Sequence, residues 1–301
     1  MNFSAERVVL LGLGLISGSL AKALRRGGWS GELVAWGPRE KSLALGAELG
    51  VVDRYSLDLD EAISGADMIV VGAPPVATGE LLAELLPKLA AQAHAPVVTD
   101  LASIKGFVIA AGATSYPGFV PGHPIAGSED SGVTAARANL FAGRETILTP
   151  LAETSQYALE QVQAMWLLTG SRVTLMSVQE HDAALAASSH SPHMLAYALT
   201  MALAKDPLLP MQHGGGALRD MTRIAASDPV MWRDVALTNS EALLKAISQV
   251  TDELALLSRM VEQADSPALT DYFARCRQVR RDHDAVLNPL FESANKETEQ
   301  P

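Results

Sequence analysis

The sequence has a single cysteine and few aromatic residues. Tryptophan, tyrosine and phenylalanine make up only 5% of the 301 residues, so aliphatic side chains must fill the interior. Cys276 alone cannot form an internal disulfide, which excludes the disulfide-stapled class of small secreted domains and favours a reducing compartment. The length is enough for two ordinary domains with aliphatic cores.

Positive charge is also scarce. The chain carries 23 lysines and arginines against 34 aspartates and glutamates, for a net charge of −11. No basic face or tail stands out, which argues against nucleic acid or an anionic membrane as a partner. An anionic ligand would therefore need locally placed cations.

A long hydrophobic run is missing as well. The uncharged stretch at residues 8–21 is shorter than the roughly 20 residues that span a bilayer, and no basic segment precedes it. Its glycines are regularly spaced, unlike those of a signal peptide. We therefore expect a soluble, cytoplasmic protein.

The same stretch carries a motif typical of dinucleotide-binding folds. A β-branched run at Arg7–Leu11 predicts a buried strand, which leads into a helix through GLGLISGSLA at residues 12–21. The first glycine permits a tight turn, and the second lets the backbone approach a pyrophosphate at the helix N-terminus. Ser17 stands at the third position and is still small. The candidate cofactor-binding residues of this turn are Gly12, Gly14, Leu15 and Ile16.

The second predicted strand, Glu32–Trp36, bears on cofactor choice. NAD-preferring domains usually carry an acid at its tip, which holds the ribose 2′-hydroxyl. Here the strand runs into Gly37, Pro38 and Arg39 instead. An arginine can pair with a 2′-phosphate through two hydrogen bonds. The sequence therefore predicts that NADP is preferred, with NAD also usable, and a solvated Arg39 remains the alternative.

Strands alternate with helices as far as residue 177 and then give way to helices alone. Further strands are predicted at residues 68–72, 96–100, 145–148 and 172–176, the last two completing the sheet pattern. Helices are predicted at residues 180–203, 229–263 and 267–291. We therefore predict a dinucleotide-binding domain at residues 1–177, a helical domain at 178–292 and a disordered tail at 293–301.

Two polar segments of the first half are candidates for chemistry. The segment DLASIK at residues 100–105 lies at the carboxyl end of a strand, where open α/β sheets bind ligands, and Ser103 is a candidate catalytic and cofactor-binding residue there. A helix N-cap is an equal alternative for Ser103. His123 lies in PGHPIAGSEDSG at residues 121–132, between the two predicted domains, where a redox enzyme would place a proton-handling residue.

The first helix of the second half is interrupted by two histidines. Pro192 leaves the carbonyl of Ser188 without its helical donor, so we expect a kink. His190 and His193 would share one face. We expect no metal there, because a third ligand at suitable spacing is missing, and a structural role in the core stays open.

A polar cluster follows the glycines at residues 214–216. In a helix Arg219 and Arg223 share a face, and Asp220 neighbours Arg223. Two interpretations of this cluster remain open: surface ion pairs, or a buried arginine that binds a substrate carboxylate. Beyond it, small or apolar residues recur in alternating steps of four and three, which favours a bundle core or a dimer interface. They are Ala236, Ser240, Leu243, Ile247, Val250, Leu254, Leu257 and Val261.

With these motifs, nearly the whole chain resembles the prephenate and arogenate dehydrogenase family of tyrosine biosynthesis. Besides the glycine motif and DLASIK, it carries three segments more specific to the family. They are GHPIAGSEDSG (122–132), EHDAALAASSHSPH (180–193) and GGGALRDMTRIAASDPVMW (214–232). The resemblance implies an α/β Rossmann-type dinucleotide-binding domain, an all-α helical dimerisation domain and a homodimer.

The resemblance also implies the reaction and its residues. The family oxidatively decarboxylates a cyclohexadienol, with hydride transfer to a nicotinamide. His123 matches the histidine that helps to deprotonate the ring hydroxyl, and Ser103 matches a serine near that hydroxyl. Arg223 matches the arginine that binds the substrate carboxylate. His190 matches a pocket histidine, and Glu129 an acid at the pocket rim.

Two other functions remain open at this stage. A β-hydroxyacid dehydrogenase shares the architecture but uses a lysine in its helical domain, where this chain is rich in arginine. A non-catalytic NADP-binding sensor would have no use for His123, His190 and Arg223 together. The motifs do not separate prephenate from arogenate as substrate, because the two differ only in a keto group against an amine.

Overall fold

The computed structural model describes residues 2–92, 95–112, 115–127 and 130–287. The chain separates into two compact units, with the division between Leu244 and Lys245. The first unit contains both sheets and most of the helices, and the described part of the second is helical. Glu129 and the predicted tail at 293–301 lie outside the described residues. The predicted domain boundary at residue 177 stays a prediction.

Six strands form the main sheet. They are β1 (Arg7–Leu11), β2 (Glu32–Trp36), β3 (Arg54–Ser56), β4 (Met68–Val71), β5 (Val97–Asp100) and β6 (Phe119–Val120). All neighbours pair in parallel, in the order β3–β2–β1–β4–β5–β6. This is the Rossmann strand order, which agrees with the predicted Rossmann-type domain, and such sheets bind ligands where the order reverses, beside β1 and β4.

Helices cover both faces of the main sheet. Alternate residues of β1 enter opposite cores, with Val8 and Leu10 in one and Val9 and Leu11 in the other. The two faces are therefore both apolar, as a parallel sheet requires. The helices of this region are α1 (Leu15–Arg26), α2 (Glu40–Glu48), α3 (Leu59–Ile63), α4 (Pro75–Ala90), α5 (Lys105–Gly112) and α6 (Gln156–Leu168).

The predicted strands at 145–148 and 172–176 exist, but the main sheet does not contain them. A second sheet consists of β7 (Gly122–Pro124), β8 (Glu145–Leu148) and β9 (Arg172–Leu175). Pro121, between β6 and β7, has no N–H to continue the first ladder, and its carbonyl accepts a bond from the amide of Thr149. The chain therefore changes sheet immediately before His123.

The described chain after Leu175 contains helices and no strand, as predicted. The helices are α7 (Val178–Leu185), α8 (Ser191–Ala204), α9 (Gly216–Thr222), α10 (Pro229–Thr238), α11 (Ser240–Glu262), α12 (Ser266–Asp282) and α13 (Asp284–Leu287). Within the described ranges, no helix combines the length and apolar character that crossing a bilayer requires.

Two helices differ from their predicted forms. A π-helical turn over Ala186–His190 replaces a simple kink before Pro192, and the amide of Ser191 bonds back to the carbonyl of Ala186. The predicted helix at 229–263 breaks at Asn239, whose side-chain amide donates to the backbone carbonyl of Asp182 at 2.9 Å. Both irregularities lie beside the polar cluster described next, and π-turns are frequent at functional sites.

Candidate active site

The turn between β1 and α1 has the shape of a dinucleotide site. Gly12 has φ +96°, and a Cβ there would lie 2.6 Å from the carbonyl oxygen of Gly72, so only glycine fits. A Cβ on Gly14 would meet nothing within 4 Å, so a ligand can approach its backbone. Leu15 and Ile16 open α1, where amide groups without intrahelical acceptors favour a pyrophosphate. These four residues therefore suit the cofactor.

Ser17 takes the place of the usual third glycine without loosening the turn. It is buried, and a Cβ on Gly72 would lie 1.9 Å from its hydroxyl oxygen. Gly72, directly after β4, has no side chain, and this absence makes room for the Ser17 hydroxyl of α1.

Gly37 follows β2 directly and is buried, but it is not tightly packed. A Cβ on Gly37 would meet only Leu43, at an ordinary contact distance of 3.8 Å, so the position accepts a side chain. Arg39 is exposed at the N-terminus of α2. The tip of β2 therefore has room for a Cβ, and an exposed arginine follows two residues later.

A buried lysine anchors the backbone beside His123. Lys105 is fully buried, forms an ion pair with Asp100 at the end of β5, and donates to the carbonyl of Gly122 at 2.6 Å. His123 itself lies in β7 opposite Ile147 of β8. Its backbone is thus fixed against both sheets.

The His123 ring contacts a second histidine from the helical region. Its Nδ1 lies 2.9 Å from Nε2 of His181, and Nδ1 of His181 lies 2.7 Å from the Asp182 carboxylate. Burial lowers the pKa of His123 well below its usual value, and the nearby His181, Lys105 and His190 lower it further. His123 is therefore neutral at pH 7, as a general base must be.

His190 and His193 share one face, as predicted, and both contact Trp232. His193 stacks on the indole at 3.5 Å between centroids, while His190 meets it edge-on at 6.1 Å. His190 is buried, with the Asn239 amide 3.4 Å from its Nδ1, and burial lowers its pKa to about 4. His193 donates from Nδ1 to the carbonyl of Ser189 at 2.9 Å.

Arg223 begins a 3-10 turn after α9 and lies near His193. Burial lowers the pKa of His193, and the positive charge of Arg223 lowers it further. Arg223 is exposed, so the interpretation as a buried arginine is wrong. Asp220 forms an exposed ion pair with Arg219 at 3.2 Å, one of the surface pairs considered from the sequence.

Ser103 is partly buried in the loop between β5 and α5, two residues before the buried Lys105. The N-cap interpretation of Ser103 is wrong, because the Asp182 carboxylate accepts the first amides of α5, from Lys105 and Gly106. Glu129 lies outside the described residues, so its predicted position at the rim stays a prediction. In the part of the chain that the structure describes, no three histidine, cysteine or acidic side chains converge as metal ligands would.

Sequence reasoning missed three residues of this cluster. His181 and Asp182 lie in the family-like segment 180–193, and Lys105 lies in DLASIK, yet none was singled out. Adjacent polar residues at the start of an amphipathic helix were the available signal. Only the fold brings them to His123.

Comparison with known protein families covers most of the chain. The family model described as "Prephenate dehydrogenase, nucleotide-binding domain" matches residues 20–175, and the one described as "Prephenate dehydrogenase, dimerization domain" matches residues 177–275. The cyclohexadienyl dehydrogenase of Zymomonas mobilis is 32% identical, over 93% of this chain and 98% of that protein. The prephenate dehydrogenase of Bacillus subtilis is also 32% identical, over 93% of this chain and 76% of that protein.

Solved structures agree with these sequence relatives. The prephenate dehydrogenase of Aquifex aeolicus, in complex with hydroxyphenyl propionate and NAD+, has a TM-score of 0.87 and 31% identity. The match covers 94% of this chain and 100% of that one. The arogenate dehydrogenase of Synechocystis has a TM-score of 0.77 and 27% identity, covering 92% and 99% of the two chains.

Proposed function

This chain belongs to the prephenate dehydrogenase family, and we propose that it oxidatively decarboxylates prephenate in tyrosine biosynthesis, with hydride transfer to a nicotinamide dinucleotide. The observation that carries the proposal is the neutral, partly buried His123, which is joined through Nδ1 to His181 of α7. Among the described residues, none forms a hydrogen bond with Nε2 of His123, so this atom can contact a ligand. The glycine turn fits the dinucleotide that this chemistry needs.

The reaction divides between cofactor and protein. The bound nicotinamide supplies the acceptor for the hydride that leaves the carbinol carbon. His123 takes the hydroxyl proton through Nε2 as the carbon–oxygen double bond forms. The bond to the ring carboxylate then breaks, carbon dioxide leaves, and its electron pair makes the ring aromatic while the oxygen regains a proton. The product is 4-hydroxyphenylpyruvate.

We assign the remaining substrate contacts by family resemblance and location. Arg223, exposed near His193, supplies the cation that a dianionic substrate needs in a chain of net charge −11. Ser103 is proposed to contact the ring hydroxyl, and His190 to line the pocket. Glu129 is proposed for the rim. A cytoplasmic location and a domain boundary at residue 177 are also proposed, the latter supported by family-model matches on either side of it.

Reduction of the cofactor on adding prephenate tests the function directly. We expect the absorbance of the reduced nicotinamide to appear together with carbon dioxide. Arogenate is the second candidate substrate, favoured by the likeness to the Synechocystis arogenate dehydrogenase. The ratio of kcat/KM for the two compounds decides between them, and turnover of neither would remove the proposal.

We predict a preference for NADP over NAD. An acid is missing at the tip of β2, and a charge-assisted contact from Arg39 to a 2′-phosphate is worth about 1.5–3 kcal/mol, or roughly tenfold to 150-fold in affinity. Because a Cβ on Gly37 would make only an ordinary contact with Leu43, we use Gly37→Asp to install the missing acid. We expect Gly37→Asp to shift kcat/KM towards NAD, and Arg39→Ala to reduce the NADP preference.

Measurements of kcat/KM with both cofactors at one salt concentration check this prediction. Arg39→Lys is the matched control, because it keeps the charge and loses the forked geometry. Equal kcat/KM values of the parent with both cofactors would show that the segment after β2 does not recognise the 2′-phosphate. If Arg39→Ala still preferred NADP, another residue would be responsible for recognising the 2′-phosphate.

We also predict a homodimer formed through α11. The family model that covers this helix is a dimerization domain. Several apolar residues of α11 are exposed in the single chain, among them Leu254 at 54% and Val261 at 65%. Such a row of apolar side chains is typical of a surface that a partner covers.

Replacing Ile247 and Leu254 together by Asp should therefore give monomers or aggregates. Lys245→Asp, on the opposite side of the heptad pattern, is the control and should leave the dimer intact. Light scattering gives the mass in each case. A monomer mass for the unmodified protein would contradict the prediction.

A further inference from the structure

A chain of hydrogen bonds runs from a carboxylate to His123. Asp182 contacts Nδ1 of His181 at 2.7 Å, and Nε2 of His181 contacts Nδ1 of His123 at 2.9 Å. His181 has no exposed surface, and its ring meets that of His123 edge-on at 5.1 Å between centroids. The order of the atoms along this chain determines where each proton lies.

The Asp182 carboxylate, at one end of this series of hydrogen bonds, can only accept hydrogen bonds. The amides of Lys105 and Gly106 donate to Asp182 at 2.9 and 2.7 Å. Burial raises the pKa of Asp182, but the bonds from His181 and from these amides outweigh burial and lower it. Asp182 is therefore ionised, and the proton shared with His181 is on Nδ1 of His181.

The positions of the protons on the two histidines follow from this ionised carboxylate. In the singly protonated form of His181 the proton is on Nδ1 and the lone pair on Nε2, so the bond to His123 then requires a proton on Nδ1 of His123. The lone pair of His123 is then on Nε2. The opposite tautomer would carry its proton on Nε2 and could not take a proton from a hydroxyl there.

We propose that His181 and Asp182 are positioning residues that hold His123 in the tautomer and orientation of a general base. The inference rests on the proposed function and adds to it the groups that prepare the base. After His123 takes the hydroxyl proton, its new charge is shared along the chain towards Asp182. The other groups that act on His123 are Lys105, paired with Asp100, and the buried His190. None of these is an anion facing His123, so Asp182 is the group that compensates the charge.

Two substitutions of His181 separate positioning from packing. His181→Phe keeps a ring but removes the acceptor for His123, whereas His181→Gln loses the ring and keeps an acceptor. Positioning predicts that His181→Phe lowers kcat by about 10²-fold or more, and that His181→Gln is the more active variant. A packing role predicts the reverse order. Glu180→Gln, on the same helix and exposed, is the matched control and should behave like the parent in kcat and in cofactor affinity.

The tautomers can be measured without substrate. Nitrogen NMR of protein labelled on its histidine rings should show His123 and His181 both protonated on Nδ1, with signals assigned from His123→Asn and His181→Gln. A His123 protonated on Nε2, or a His181→Phe variant as active as His181→Gln, would overturn the proposal. Because the NMR measurement needs no turnover, it decides the positioning role even where prephenate proves to be the wrong substrate.

Discussion

His123→Asn should lower kcat by about 10²–10⁴-fold, the usual contribution of a positioned general base. Asparagine can still hydrogen-bond to His181 but cannot accept the hydroxyl proton. The fold and the cofactor site should be unaffected, since the glycine turn is formed by other residues. Steady-state kinetics with saturating cofactor, together with the Kd for the cofactor and the Tm, check the prediction.

The pH profile gives an independent test of the same residue. Activity needs neutral His123, which exists above its pKa, and burial places that pKa well below 6.5. The kcat/KM of the parent should therefore hold at neutral pH and fall only on acidification well below 6.5. This acid limb should disappear in His123→Asn. The control His213→Asn, at an exposed histidine, should keep both the rate and the limb. A His123→Asn variant within a few-fold of the parent would remove His123 as the base.

Arg223→Ala should weaken substrate capture far more than cofactor binding. A hydrogen bond to a charged group contributes about 1.5–3 kcal/mol, which corresponds to a roughly tenfold to 150-fold loss in kcat/KM for prephenate. Because Arg223 is exposed, we expect the lower part of this range unless substrate binding excludes water around the pair. The kcat/KM for prephenate and the Kd for the cofactor separate the two effects.

Two further variants make the Arg223 test specific. Arg219→Ala removes a neighbouring exposed arginine that pairs with Asp220, and it should leave substrate capture near that of the parent. Arg223→Lys keeps the charge but loses the two-pronged geometry, so it should restore only part of the loss. If Arg223→Ala instead lowered the Tm and left kcat/KM unchanged, Arg223 would be a structural residue.

Much of the fold was predictable because its signals are local. The strand at Arg7–Leu11 and the glycine turn were found from adjacent residues, and the helical second half from its periodicity. Steric limits at Gly12 act within a few residues and one neighbouring strand, so the sequence pattern reports them directly. His123 could be selected because its segment resembles a known family loop.

The sequence alone thus determined that a Rossmann-type dinucleotide-binding domain is followed by a helical half, and it selected His123 as the candidate base. The tertiary structure alone decided that β7, β8 and β9 form a separate sheet, and that α11 begins only after Asn239. It also decided which groups prepare His123, because His181 is 58 residues away along the chain. Periodicity records which face of an element is apolar. Contacts between distant polar side chains depend on how the elements pack, and no local pattern records them.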